Sequence, residues 1–136
     1  MSSFEKIISL IIPFYNSEET LQKCLDSVAA QTVDKEKLEV ILVNDGSTDG
    51  SEEIAKKFAC EKTFATIITR SHGGSGVARN SGITAASGKY IAFLDADDSL
   101  SADAMKNTVD FFEENEERTD IVAYKMIPYT KSGRKK

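Results

Sequence analysis

The chain has 136 residues, 40% of them hydrophobic and 29% charged, with a formal net charge of -5 at pH 7. That length suits one domain able to bury a core, and the composition is that of a soluble globular chain, not a disordered one. The acidic balance excludes a general affinity for nucleic acid, which needs basic groups to neutralise phosphates, and no stretch approaches the ~20 apolar residues that cross a bilayer.

Lys6 to Ile12 reads as a buried strand, carried by Ile7, Ile8, Leu10, Ile11 and Ile12. Pro13, with no amide to give to a ladder, is expected to end it. The apolar run from Ile7 to Phe14 is too short for a secretory signal. Asn16 and Glu19 have the spacing of a capping box. Leu21, Cys24, Leu25 and Val28 then recur at helical spacing and give one apolar face. Cys24 reads as a small core residue on that face. Neither it nor Cys60 has the spacing of a metal knuckle or a redox pair, which points to a reducing compartment.

Leu38 to Val43 is a second apolar strand. Asp49 and Glu52 repeat the capping-box spacing ahead of a helix with Ile54, Ala55 and Phe58 inward. Phe64 to Thr69 is a third strand. A glycine-rich turn, His72 to Gly76, leads into a short helix, Val77 to Ala86. Its small face of Ala78, Gly82, Ala85 and Ala86 permits close approach, and Gly88 is expected to stop it. Tyr90 to Leu94 reads as a buried fourth strand running straight into Asp95-Ala96-Asp97-Asp98. Ser101 to Phe112 is a fourth helix with Met105, Val109 and Phe112 inward. The acidic stretch from Glu113 to Glu117 reads as a solvated helix end, and Asp120 to Ile127 as a fifth strand. Lys131, Arg134, Lys135 and Lys136 form a basic chain end.

Strands alternating with helices, the strands nearly all apolar, imply an α/β fold with a largely parallel sheet covered on both faces. Ligands of such sheets bind beyond the carboxyl ends of the strands. Four polar, turn-rich segments fall there: 13–16, 44–49, 72–80 and 95–98. Asp95, Asp97 and Asp98 put three carboxylates within four residues. They repel one another unless a cation or open solvent relieves them. A hard divalent ion, Mn²⁺ or Mg²⁺, accepts such ligands together with diphosphate oxygens. The competing reading is a set of turn and helix-capping aspartates before Leu100.

Gly46 frees the chain to turn after the second strand, and Asp45 is placed to accept hydrogen bonds from a base or sugar. Thr48 and Asp49 are explained by capping alone. Gly73-Gly74-Ser75-Gly76 offers backbone amides to a phosphate at a helix start. It is neither a P-loop nor a dinucleotide fingerprint. Arg79 reads equally as a charge near phosphate or as an exposed helix residue. His72, the single histidine, reads as a structural or ligand-contacting loop residue before it reads as a catalytic base. Of Pro13, Phe14 and Tyr15, an aromatic could stack on a base, and Phe14 could equally be core.

Together these segments resemble the family-2 glycosyltransferases of the GT-A fold. The resemblance rests on Ser9-Leu10-Ile11-Ile12-Pro13-Phe14-Tyr15-Asn16, on Val43-Asn44-Asp45-Gly46-Ser47-Thr48-Asp49, on the stretch Gly74 to Gly82, and on Phe93-Leu94-Asp95-Ala96-Asp97-Asp98. It implies a Rossmann-like sheet flanked by helices and an inverting transfer from a nucleoside-diphosphate sugar, often a UDP-sugar, to a glycan or lipid-linked acceptor. It implies that Pro13, Phe14 and Tyr15 line the nucleotide pocket, with Gly74 and Ala96 beside them. Asp45 then contacts the base, Arg79 holds the nucleotide, Asp95 lies near ribose and metal, and Asp97 is the principal ligand of Mn²⁺ or Mg²⁺.

The carboxylate base that deprotonates the acceptor lies, in such enzymes, in a second half. Residues 1–127 are therefore expected to be a nucleotide-sugar-binding part, the truncated front of a longer domain. Residues 128–136 are expected to be a basic tail or the start of the acceptor-binding half. The same reading implies a cytoplasmic protein, if membrane-associated then at the inner face, and an unfinished sheet edge prone to self-association. The alternatives are a donor-binding module without turnover and a nucleotidyltransferase. Pro13-Phe14-Tyr15-Asn16 argues against the second, because a basic, glycine-rich activation loop is expected at that place.

Overall fold

Two seven-residue runs of mostly branched apolar side chains, Ile8–Phe14 (β1) and Leu38–Asn44 (β2), form the centre of the molecule. In the computed structural model, which describes residues 6–114, they lie side by side as parallel strands, Ile8 opposite Leu38 and Phe14 opposite Asn44. Ala65–Thr69 (β3) adds to the far side of β2, and Tyr90–Phe93 (β4) to the far side of β1, both parallel. The order is β3-β2-β1-β4. Helices α1 (Leu21–Ala29), α2 (Ser51–Glu61), α3 (Ser75–Ala85) and α4 (Ala104–Glu114) alternate with the strands. Every strand therefore ends at the same edge, which is what collects the four polar segments.

The two faces of the sheet are covered unequally. Leu10, Ile12, Val40 and Leu42 pack with Leu21, Leu25, Phe58, Met105 and Val109 beneath α1, α2 and α4. On the other face Ile11, Ile41 and Val43 meet only two buried residues of α3, Ala78 and Gly82. The small-residue reading of α3 is explained by Gly82. A Cβ there would lie 3.2 Å from Ile11 Cγ1 and closer still to its Cγ2. α3 rests over β1 and β2 and leaves β4 bare. Register puts Phe93 beside Ile11 and Ile91 beside Ser9, on the α3 face. They are 45% and 41% exposed. The expectation of a buried β4 thus fails on one face, because an apolar run does not say whether a helix lies over it.

Pro13 does not end β1. The carbonyls of Ile7 and Ile11 face β4, accepting from Tyr90 and Leu94, so alternate residues point that way. Pro13 points to the same side, two residues beyond Ile11, where the β4 ladder has already stopped. Its missing amide costs no ladder bond, and Phe14 still accepts from the Asp45 amide at 2.9 Å.

Neither capping box forms as its spacing implied. α1 begins only at Leu21, with Thr20 before it and no side-chain cap. Asn16, at φ 45°, instead receives the Thr48 amide at 2.7 Å. Glu18 receives the Gly50 amide, Asp49 receives the amides of Ser51 and Glu18, and Ser51 Oγ receives the Ser17 amide. The loops after β1 and β2 are laced to each other. Glu52 pairs with Lys56 one turn on.

Gly88 is likewise no left-handed stop, for α3 ends at Ala85 with Ala86 extended. Glycine is needed there because a Cβ would meet the Ser9 amide nitrogen at 2.7 Å. The expected fifth strand, the basic end and the boundary at residue 127 lie outside the described residues. Among those described, no helix is long and apolar enough to cross a membrane.

Candidate functional site at the carboxyl edge of the sheet

A cleft of about 390 Å³ opens at the carboxyl ends of the strands. Pro13, Phe14, Tyr15, Asp45, Gly74, Arg79, Asp95, Ala96 and Asp97 all line it, so the residues singled out from the sequence are brought to one place. They do not contribute alike. Phe14 and Ala96 are 3% and 7% exposed and belong chiefly to the core, whereas Tyr15 is 44% exposed. Ser75 of the glycine-rich turn and Ala78 of the small helix face also line the cleft, as does Ser17, which carries no signal in the sequence. His72 does so as well, fixed by contacts that span 27 residues of chain.

Asp45 is the most constrained group. Its side chain is buried, with Oδ1 accepting the Gly73 amide at 3.0 Å and Oδ2 the Gly74 amide at 2.9 Å. Arg70 Nε stands 3.4 Å from Oδ1 and His72 Nδ1 3.0 Å from Oδ2. Burial acts to raise its pKa. The two amides, with His72 and Arg70, outweigh burial and hold the carboxyl below the usual range. Gly46 makes the approach possible: at φ +79° it brings its backbone against His72, where a Cβ would lie 2.7 Å from the His72 nitrogen. Two of the amides expected to face a phosphate therefore face Asp45. The amides that remain open belong to the first turn of α3, which has no side-chain cap. Its positive end faces the cleft through Gly74 and Ser75.

On the β4 side, Asp95, Asp97 and Asp98 each offer a carboxylate oxygen, all within 4.8 Å of one another. Burial raises the pKa of Asp98, and the charges of Asp97 and Asp95 raise it further. Arg79 Nη2 reaches Asp95 Oδ1 at 3.2 Å and offsets part of that charge. Beneath them the Cys24 thiol, 3.7 Å from the Asp95 carbonyl, is pushed up to about 12, by burial first and then by the three aspartates. Three crowded, accessible, oxygen-only ligands fit a hard divalent cation.

Known proteins match the chain in sequence and in fold. The profile described as Glycosyl transferase family 2 matches residues 9–135. The poly(ribitol-phosphate) beta-glucosyltransferase of Bacillus spizizenii is 40% identical over 121 residues, 88% of this chain and 19% of that protein. S. aureus TarS 1-349 in complex with UDP-GlcNAc superposes with a TM-score of 0.76 at 31% identity, over 81% of this chain and 32% of that one. The mannosyltransferase PcManGT of Pyrobaculum calidifontis, with GDP-Man and Mn2+, gives 0.72 at 25% identity, over 81% and 33%. The chain thus spans a third or less of the length of each of these proteins.

Proposed function

The chain belongs to glycosyl transferase family 2, with the GT-A, Rossmann-like architecture, and from that premise we propose that its cleft holds a nucleoside-diphosphate sugar, a UDP-sugar foremost. The protein then transfers the sugar, with inversion, to a hydroxyl of a glycan or lipid-linked acceptor. One observation carries this reading. A single cleft joins two carboxylates of the Asp95, Asp97 and Asp98 cluster, a guanidinium and an uncapped helix N-terminus on one side to an aromatic ring on the other. Those are the groups that a sugar diphosphate with a planar base requires.

Asp97 and Asp95 are the residues that would hold Mn²⁺ or Mg²⁺, with Asp98 behind them. Such an ion, when bound, neutralises the charge that gathers on the diphosphate leaving group. Arg79 adds a fixed positive charge, and the open amides of α3 favour an anion beside it. Tyr15 offers its exposed ring to the base. TarS crystallised with UDP-GlcNAc and PcManGT with GDP-Man and Mn2+ support the same assignment.

A donor-binding role without turnover is favoured by one observation. The carboxylates that line the cleft among the described residues are Asp45, whose oxygens are engaged, and Asp95 and Asp97. None is left to deprotonate an acceptor. Calorimetric titration of UDP and UDP-sugars, with and without Mn²⁺, tests the donor site. Binding should be strengthened by the ion, and Asp97→Ala should abolish that dependence. A folded chain that binds no nucleoside diphosphate would overturn the reading. Transfer to acceptor by this chain alone would overturn the role without turnover.

A further inference from the structure

The segment that carries the three aspartates belongs to neither the sheet nor a helix. β4 ends at Phe93 and α4 begins at Ala104. The backbone between them needs partners from elsewhere, and α1 with the turn after it supplies them. Cys24 Sγ lies 3.7 Å from the Asp95 carbonyl oxygen, which also accepts the Asp98 amide at 3.0 Å. Ser27 Oγ accepts the Leu100 amide at 3.1 Å and donates to the Cys24 carbonyl at 2.6 Å. Gln31 Nε2 donates to the Ser101 carbonyl at 2.7 Å and to the Ser27 carbonyl at 3.0 Å. Its Oε1 accepts the Met105 amide, in the first turn of α4, at 2.9 Å. Residues 24, 27 and 31 recur at helical spacing, so one stripe runs along the segment that follows β4.

These are interior bonds. Gln31 is 3% exposed, and its amide group is used wholly on backbone partners. Neither Ser27 nor Gln31 lines the cleft, whereas Asp95 and Asp97 do. What the two side chains fix is the path of the chain as it leaves the aspartates. The carboxylate oxygens of Asp95, Asp97 and Asp98 lie within 4.8 Å of one another. Like charges that close push a free loop open. A hard cation needs the opposite, several oxygens already gathered when it arrives. A loop tied down at Leu100, Ser101 and Met105 meets that need in advance, so less ordering is left for the ion to bring about.

We propose that Ser27 and Gln31 are positioning residues for the metal ligands. Acting through the backbone of residues 100–105, they keep Asp95, Asp97 and Asp98 together and so raise the affinity of the cluster for Mn²⁺ or Mg²⁺. Neither side chain touches the ion or the nucleotide. The inference rests on the aspartates being the metal site of the proposed function. A role confined to joining α1 to α4 predicts a different outcome, a loss of stability with the affinity for the ion unchanged.

The test is titration of the full chain with Mn²⁺ alone, the free ion being read by its electron paramagnetic resonance signal. The wild type should bind the ion, and Asp97→Ala should abolish binding. Ser27→Ala should weaken binding by about three- to tenfold, the scale of one hydrogen bond. Ser27→Thr, which keeps the hydroxyl, should recover most of that loss. Gln31→Met keeps the length of the side chain, removes its bonds to the segment, and should weaken binding at least as much. Ser27 is only half-buried and alanine favours a helix, so Ser27→Ala decides the matter even if Gln31→Met does not fold. Phe58→Leu, in the core beneath α2, should lower the urea midpoint and leave the affinity for the ion as in the wild type. A folded Ser27→Ala chain that binds Mn²⁺ as tightly as the wild type overturns the inference and leaves the metal site standing. An equal loss of affinity in Phe58→Leu does the same, since general loosening then accounts for it. A wild type that binds no Mn²⁺, or an Asp97→Ala chain that binds it unchanged, overturns the metal site and the inference together.

Discussion

A carboxylate buried under a glycine turn does two things at once in this protein, and Asp45 shows how they are coupled. It ties the loop after β2 to the loop after β3 through the Gly73 and Gly74 amides, and each of its oxygens is thereby held by one backbone donor. Its depressed pKa has a direct consequence for stability. A carboxyl whose folded pKa lies below the unfolded value stabilises the fold above the unfolded value, about 3.9 for Asp. That contribution is lost as the pH falls through the folded pKa. Asp45→Asn keeps one acceptor but turns an amide NH₂ toward a backbone donor. It should destabilise the chain by about 2–3 kcal/mol at neutral pH, the scale of a charged hydrogen bond lost and a buried group left unpaired. Urea melts should also show a shallower loss of stability below about pH 4 than in the wild type. An unchanged acid limb would mean that the carboxylate is not the group whose protonation loosens the turn. The sequence marks Asp45 through its neighbours Asn44 and Gly46. It does not show that the partners are glycines 28 and 29 residues further on. His72 carries still less signal, since a lone histidine in a loop has no spacing to read.

Helix α3 shows what an element owes to one missing side chain. Glycine inside a helix costs about 1 kcal/mol against alanine, so Gly82 has to be explained by what lies under it. That is Ile11, wholly buried in the central strand and unable to retreat. Gly82→Ala should therefore lower stability, its helix-propensity gain outweighed by overpacking of about 1–3 kcal/mol. Ile11→Ala opens the space from the other side at the cost of a cavity. In the double variant the two losses should add to less than their sum, by about 0.5 kcal/mol or more, measured as a double-mutant cycle in urea. Strict additivity would mean that α3 does not sit on Ile11. The close approach was legible as a run of small residues, and so were the four strands and four helices, because period and composition report them. The end devices were less legible. Asn16, Glu18, Asp49 and Ser51 each take a partner from the neighbouring loop, and Asp49 also accepts the local amide of Ser51 two residues on, in place of the reciprocal pairing three residues on. Gly88 looked like a stop because sequence reports a glycine and not the strand backbone pressed against it.

At the scale of the molecule, the unequal covering of the sheet is the feature that bears on how the chain behaves alone. Alternation of strands and helices told that the sheet is parallel and where its ligand edge lies, because both follow from connectivity. It did not tell that α3 stops short of β4, since Ile91 and Phe93 read as core whichever side a helix takes. The result is two large apolar side chains in the open on a strand that has no further neighbour in the described sheet. Edge strands of this kind pair with whatever strand or apolar face they meet. This chain spans a third or less of TarS 1-349 and PcManGT. By itself the 14.9 kDa chain should therefore self-associate at roughly 100 µM, a range in which exposed edges drive assembly. Sedimentation velocity should then give a species above the monomer. Phe93→Lys combined with Ile91→Lys should return it to the monomer by placing charge on the edge, the device by which natural sheets avoid such contacts. Both residues are already nearly half exposed, so the thermal midpoint should move little. A wild-type chain that stays monomeric throughout would show that the open face is too small or too twisted to pair. A doubly charged variant that unfolds would show that Ile91 and Phe93 contribute to the core after all.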